Sequence, residues 1–225
     1  MLYDEQGARD NIRNKEGKRV FYLGQGDQLT PSARDYLSRQ RVQIINKPPD
    51  GTYKLLGGGY IDKKPEQMTH LNGDVLVHKN HPVIRFRGSM DRLQAELLLL
   101  GEKFPELRKP LQEILDLARQ LIACDVMGEP VREGLLLGLS RQELRQHSHF
   151  PQEYYGQPHF MPGMEDGLLL LELNRLRSLV RAAELDAVAA FCDRDGLPTR
   201  ADILQALNRM SGAVYILMIK EKAKK

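Results

Sequence analysis

Asn174, Arg177, Arg181 and Glu184 follow one another at i, i+3, i+7 and i+10, a spacing that puts all four on one face of a helix. Two arginines one turn apart on such a face make a fixed cationic ridge. Planar guanidinium groups hold phosphate oxygens by two-pronged hydrogen bonds, which a point charge cannot imitate. The competing reading is a solvated face on which Arg181 and Glu184 pair with each other. The spacing alone admits both.

A second polar set lies in residues 201–219, which read as an almost wholly apolar helix carrying Asn208, Arg209, Ser211 and Tyr215. A helix apolar nearly all round is buried, and its polar groups need partners because leaving them unpaired costs free energy. Asn208, Ser211 and Tyr215 share a face, so something polar is expected against it, either a neighbouring helix or a ligand. Other candidates carry less. Asp91 stands near the start of a helix, where a carboxylate also suits the helix dipole. Residues 68–74 hold Thr69, His70, Asn72, Gly73 and Asp74, and Lys79 follows. A turn of that composition is able to present backbone N–H groups to an anion. The Gly-Gln-Gly of residues 24–26 lacks the third glycine of a dinucleotide loop and reads as a plain turn. His147 with His149, and His78 with His81, have no cysteine or acidic cluster at metal-ligand spacing.

The elements that must position these residues fall into two regions. Residues 19–23 and 42–45 read as strands that are able to lie parallel, joined by a helix that Thr30 caps and Pro31 opens. Turns at residues 47–51 and 57–59 follow. Beyond them the pattern becomes helical, with helices expected over 85–102, 107–127, 165–195 and 201–219. A shorter one opens at the capping-box spacing of Ser140 and Glu143, and Thr199 with Asp202 makes a second capping-box-like start, for the final helix. Residues 150–163, rich in proline and aromatics, read as a long ordered loop or lid. The fold class is therefore mainly α: a bundle of about five helices, preceded by a small α/β element. The division is expected as residues 1–63 and 64–225.

Composition sets broad limits. A net charge of +3 with no run of basic residues gives no nucleic-acid groove. No apolar run approaches bilayer length, and no N-terminal targeting pattern is visible. Cys124 and Cys192 each fall in an expected helix and read as small hydrophobes of a reducing cytoplasm, without a disulfide.

The motifs together resemble one family. From Leu29-Thr-Pro-Ser-Ala-Arg-Asp-Tyr-Leu37 onward the chain is similar to cobalamin adenosyltransferases of the ethanolamine-utilization type, and more distantly of the propanediol-utilization type. The likeness is strongest in Lys64-Pro-Glu-Gln-Met-Thr-His-Leu71, in Asp125-Val-Met-Gly-Glu-Pro130 and in Asp202-Ile-Leu-Gln-Ala-Leu-Asn-Arg-Met-Ser211. The family's Arg-x-x-x-Arg-x-x-Glu helix corresponds to Arg177, Arg181 and Glu184. Its Leu-Asn-Arg-x-Ser helix corresponds to Leu207, Asn208, Arg209 and Ser211, and its Gly-x-x-Asp helix start to Gly88 and Asp91. Its phosphate loop and following lysine correspond to residues 69–74 and Lys79.

The resemblance implies transfer of the 5′-deoxyadenosyl group of ATP to the cobalt of a reduced cobalamin, with release of triphosphate. Co(I) is then the nucleophile, and the protein's task is placement and stabilisation of the leaving triphosphate. By the same resemblance Arg177, Arg181 and Lys79 neutralise phosphate charge with Mg²⁺, and Asp91 pairs with Arg177. Thr69, His70, Asn72, Gly73, Asp74, Glu184 and Asn208 belong to the nucleotide's surroundings, and Phe160 lies beside the corrin, helping to displace its lower axial base. A homo-oligomer, trimer or alternatively dimer, is implied, with the nucleotide near a subunit interface. A corrinoid reductant and the enzymes or microcompartment of ethanolamine utilization are implied partners, in the cytoplasm. The alternative is a non-catalytic corrinoid carrier or assembly protein on the same bundle. One departure stands out: ethanolamine-type members often carry a metal-binding His and Cys cluster before the segment matching 64–71, whereas no cysteine precedes Cys124 here. Activity is accordingly expected to need no protein-bound zinc or iron.

Overall fold

The computed structural model describes residues 1–15, 17–46, 48 and 51–224, so Lys47, Pro49 and Asp50 of the expected 47–51 turn lie outside the described residues. The chain forms two compact units, Met1–Lys79 and Asn80–Lys225. The first contains β1 (Leu2–Tyr3), α1 (Glu5–Asp10), β2 (Arg13–Lys15), β3 (Lys18–Tyr22), β4 (Gln28–Leu29) and α2 (Pro31–Arg39). It continues with β5 (Gln43–Ile45), β6 (Tyr53–Leu55), β7 (Tyr60–Ile61), β8 (Met68–Asn72) and β9 (Val75–His78). As the sequence predicts, the Thr30 hydroxyl accepts from the Ala33 N–H at 3.2 Å with Pro31 opening α2. The flanking strands β3 and β5 pair in parallel, Phe21 opposite Ile44. Phe21, Ala33 and Leu37, all fully buried, form the core beneath that crossover with Tyr3.

Residues 68–78, expected within the helical region, instead make the antiparallel hairpin β8–β9, at the edge of a sheet ordered β7-β6-β9-β8. The reason is local. Thr69, Leu71, Val75 and Val77 favour extended backbone, and Gly73, with φ of +52°, supplies the left-handed turn between the strands. The anion-binding turn expected there is thus a hairpin whose Gly73 carbonyl already meets His70 Nδ1 at 3.0 Å. Both strands follow residue 63 and pack within the first unit.

The second unit holds α3 (Pro82–Lys103), α4 (Arg108–Met127), α5 (Arg141–His149), α6 (Pro151–Tyr155), α7 (Gly167–Phe191) and α8 (Ala201–Lys222). No helix among the described residues is long and apolar enough to cross a membrane. Helix α7 is central, packing against both α3 and α8. Its fully buried stripe of Leu170, Leu173, Leu176, Val180, Ala183 and Ala187 recurs at helical spacing. That stripe turns Asn174, Arg177, Arg181 and Glu184 onto an adjoining face. The capping box of Ser140 and Glu143 forms as expected and opens α5.

Three local expectations change. Helix α6 occupies part of the expected 150–163 loop, opened by Pro151 and closed by Gly156 at φ of +65°. Helix α7 ends at Phe191, short of residue 195, because the Asp193 carboxylate accepts from the N–H groups of Asp195 and Leu197 and turns the chain. The capping box expected at Thr199 and Asp202 does not form: the Thr199 hydroxyl donates to the Phe191 carbonyl. The Asp202 carboxylate instead accepts from Arg200 at 3.0 and 2.9 Å and from the Val131 N–H at 2.9 Å.

Those bonds, led by Arg200, pull the Asp202 carboxyl from 3.8 down to about 2. A depressed carboxylate contributes stability that is fully present above its unfolded pKa and lost as pH falls through its folded one. The Asp202 side chain is 30% exposed, so solvent screens part of this. About 1–2 kcal/mol is expected. Urea unfolding should show Asp202→Asn less stable than the wild type at pH 6, with the two curves converging near pH 2. Equal stability at pH 6 would contradict the assignment.

Candidate functional site

Helices α7 and α8 lie side by side with the chain after α6 folded over them, and a cleft of about 530 Å³ opens where the three meet. Its walls include Asn174, Arg177 and Arg181 from α7, Asn208, Ser211 and Tyr215 from α8, and His159 to Pro162 from the overlying segment. The apolar stripes of the two helices mesh in the core, and this leaves their polar faces edge to edge. Both polar sets singled out in the sequence, Glu184 excepted, therefore line one cleft.

Within the cleft Arg177 stands out chemically. Its Nε is buried and has no hydrogen-bond partner. The guanidinium carbon sits 5.1 Å from the centre of the Tyr215 ring, a cation–π contact. Burial, and then the neighbouring charge of Arg181, push its pKa below the ordinary arginine value. A half-buried, planar cation beside a like charge and without a carboxylate favours an anion with several oxygens.

Glu184 accepts from Asn208 Nδ2 at 3.0 Å, and Asn208 Oδ1 accepts from Arg209 at 2.5 Å. The amide of Asn208 is thereby oriented from both ends. Because Glu184 turns to α8, the alternative of an Arg181–Glu184 pair is not what forms. The reading of α8's polar face as one that meets a neighbouring helix holds for Asn208, whose partner lies on α7.

Phe160 packs against Tyr215, ring centroids 6.1 Å apart. The ammonium of Lys222 lies 5.7 Å from the Phe160 ring centre and pairs with the buried carboxylate of Asp166. Asp166 also accepts from the Gly163 N–H at 2.8 Å. The overlying segment is so tied down at the end nearest α7. Met161 beside it is 90% exposed, a large apolar side chain at the mouth of the cleft.

Asp91 is not in this cleft. It is exposed on α3, and no ion pair joins it to Arg177 within the chain. Met90 and Leu93 take the core positions of that turn, and Ser89 faces Asp186 across α7. That register points Asp91 away. Thr69, His70, Asn72, Gly73, Asp74 and Lys79 belong to the first unit, where Lys79 Nζ lies 3.6 Å from Glu66. Among the described residues there is no group of three or more His, Cys, Asp and Glu side chains placed to hold a metal ion.

Sequence reasoning flagged Tyr215 as polar and buried but gave it no role. It missed His159, whose ring stacks on Tyr215 at 5.8 Å between centroids. The available signal was His159 standing directly before Phe160 in the aromatic lid. A second hollow of about 500 Å³ adjoins Arg209. Its Arg141 is already held by Gln205 and Glu133 and its Asp202 by Arg200, and its Arg132 is exposed, so it lacks the buried, unpartnered guanidinium nitrogen of the main cleft.

The sequence profile of the cobalamin adenosyltransferase family matches residues 59–221. The corrinoid adenosyltransferase EutT of Salmonella typhimurium (strain LT2) is 31% identical, with 98% of this chain and 92% of that protein covered. The corrinoid adenosyltransferase EutT of Escherichia coli (strain K12) is likewise 31% identical, over 96% of this chain and 90% of its own length.

Proposed function

The chain belongs to the cobalamin adenosyltransferase family, and from that premise we propose that the α7–α8 cleft holds the triphosphate of ATP during adenosyl transfer to a reduced corrinoid. The observation that carries the reading is Arg177: a half-buried guanidinium whose buried Nε is unpartnered, beside Arg181, in a cleft large enough for a ligand. The cobalt of the reduced corrinoid attacks C5′ of ATP. The Co–C bond forms as the C5′–O bond breaks, and triphosphate leaves with the electron pair. Negative charge grows on the leaving oxygen, and preorganised cations at that point lower the barrier. Arg177 and Arg181 supply the charge. Asn208, locked by Glu184 and Arg209, donates to the nucleotide, and Phe160 with Met161 offers the corrin an apolar face. Mg²⁺ accompanies the triphosphate as its counter-ion.

Asp91 and Arg177 do not meet within one chain, yet both are left without an ionic partner there. The pair expected between them is therefore assigned to two copies of the chain, at an interface of a dimer or trimer that closes the cleft. A corrinoid reductant supplies Co(I), and the site of action is the cytoplasm or the ethanolamine-utilization microcompartment. No resident zinc or iron takes part.

Purified protein given ATP, Mg²⁺ and chemically reduced cobalamin is expected to form adenosylcobalamin and triphosphate in equal amounts. Corrinoid binding without either product would establish the carrier alternative instead. Asp91→Ala and Arg177→Ala are each expected to be inactive and to regain activity when mixed and co-refolded. If the mixture stays inactive, the shared interface site is wrong.

A further inference from the structure

Arg177 needs something to hold it in place, and among the described residues no carboxylate does so. Its one directed contact is the face of Tyr215, 5.1 Å from guanidinium carbon to ring centre. The ring is itself fixed. The Tyr215 hydroxyl lies 3.0 Å from His159 Nδ1, and His159 Nε2 lies 3.1 Å from the backbone carbonyl of His149. A carbonyl only accepts, so Nε2 carries the hydrogen. In the neutral ring Nδ1 then accepts, and the Tyr215 hydroxyl donates to it. Both imidazole nitrogens are engaged, and the two rings lie nearly parallel, 9° apart.

We infer that Tyr215 is the positioning residue for Arg177, setting where the guanidinium meets its anion, and that His159 locks the Tyr215 ring from the lid segment. The inference deepens the proposed triphosphate site and rests on it. The chain of contacts runs from the carbonyl at the end of α5, through His159 in the overlying segment, to Tyr215 on α8 and Arg177 on α7. Three separate parts of the bundle thus converge on one cation. The aromatic face suits this task better than a carboxylate of the same chain would. It steadies the cation without itself neutralising it. Tyr215 is half-buried and His159 exposed, so neither is a core position whose replacement unfolds the bundle.

The test uses the full-length protein, with ATP and inorganic triphosphate as calorimetric probes and thermal unfolding as the control for folding. Tyr215→Leu, which removes the ring face, is expected to weaken both ligands about tenfold, equivalent to about 1.4 kcal/mol. In turnover, the KM for ATP should rise by more than the KM for cobalamin, which the Tyr215 ring reaches only through Phe160. Tyr215→Phe keeps the ring and should lose only about threefold, as should His159→Ala, and the double variant should lose no more than either. That non-additivity is the signature of one hydrogen bond. A merely structural role would lower the unfolding midpoint and leave the affinity of folded protein unchanged. Tyr215→Leu binding triphosphate as tightly as wild type, or Tyr215→Phe losing as much as Tyr215→Leu, overturns the ring's role. Additive losses in the double variant overturn that of His159. If wild-type protein itself binds neither ATP nor triphosphate, the proposed site fails, and that outcome is distinct from wild type binding with the variants unaffected.

Discussion

Arg177→Ala is expected to lose adenosyl transfer by about 100- to 1000-fold, the range seen when one donor aimed at developing negative charge is removed. Its folding stability should nevertheless stay close to that of the wild type. Two terms oppose each other. Losing the contact with Tyr215 costs about 0.5–2 kcal/mol. Removing a buried Nε that has no partner in the chain returns about 1–3 kcal/mol of desolvation penalty. Neither clearly exceeds the other, so the net change is near zero. Within one folded chain Asp91 is exposed and does not meet Arg177, so the substitution leaves Asp91 no worse satisfied there. Arg177→Lys should be nearly as inactive, because an ammonium cannot match a planar two-pronged contact or lie flat on Tyr215. Asn208→Ala should also lose activity, through the freed Glu184 and Arg209. Steady-state turnover of reduced cobalamin with ATP, alongside thermal unfolding, separates the cases. If folded Arg177→Ala keeps near-normal turnover, the site lies elsewhere.

Why this cleft was legible in the sequence follows from helix geometry. Spacings of three, four and seven residues fix a face once a segment is helical, so spacing alone groups Arg177 with Arg181, and Asn208 with Ser211 and Tyr215. What spacing cannot give is the rotation of one helix against another. Spacing therefore offers Glu184 only Arg181, on its own helix, whereas its partner is Asn208, across the groove. The same blindness affected Asp91, since its position on α3 depends on the register against α7 that Ser89 and Asp186 establish. Chain reversals were harder still. Thr199 and Asp202 have capping-box spacing, but the competing acceptor at Phe191 and the donor at Val131 come from distant residues. The hairpin β8–β9 was legible in its β-branched residues, which the functional resemblance of residues 64–71 overshadowed.

The second large effect concerns the tether of the lid. Asp166 is 3% exposed, and its two carboxylate oxygens divide their work. One binds the ammonium of Lys222, and the other accepts from the Gly163 N–H. Lys222 in turn lies against Phe160, so a single buried carboxylate joins the end of the overlying segment to α8 beneath it. The charge also stands at the start of α7, where the helix dipole favours an anion. Asp166→Ala is expected to cost about 2–3 kcal/mol, the range for a buried charge-assisted hydrogen-bond set. The cost stays below that of a fully buried pair because Lys222 is 29% exposed and regains water. Asp166→Asn, which retains an acceptor for Gly163 but not the charge, should lose about half as much. The catalytic consequence differs in kind from that of Arg177. With Phe160 no longer clamped, the KM for cobalamin should rise while calorimetric affinity for triphosphate is preserved. Urea unfolding and the two Michaelis constants check both parts. An unchanged unfolding midpoint, or a loss confined to ATP, would show that this carboxylate does not hold the lid.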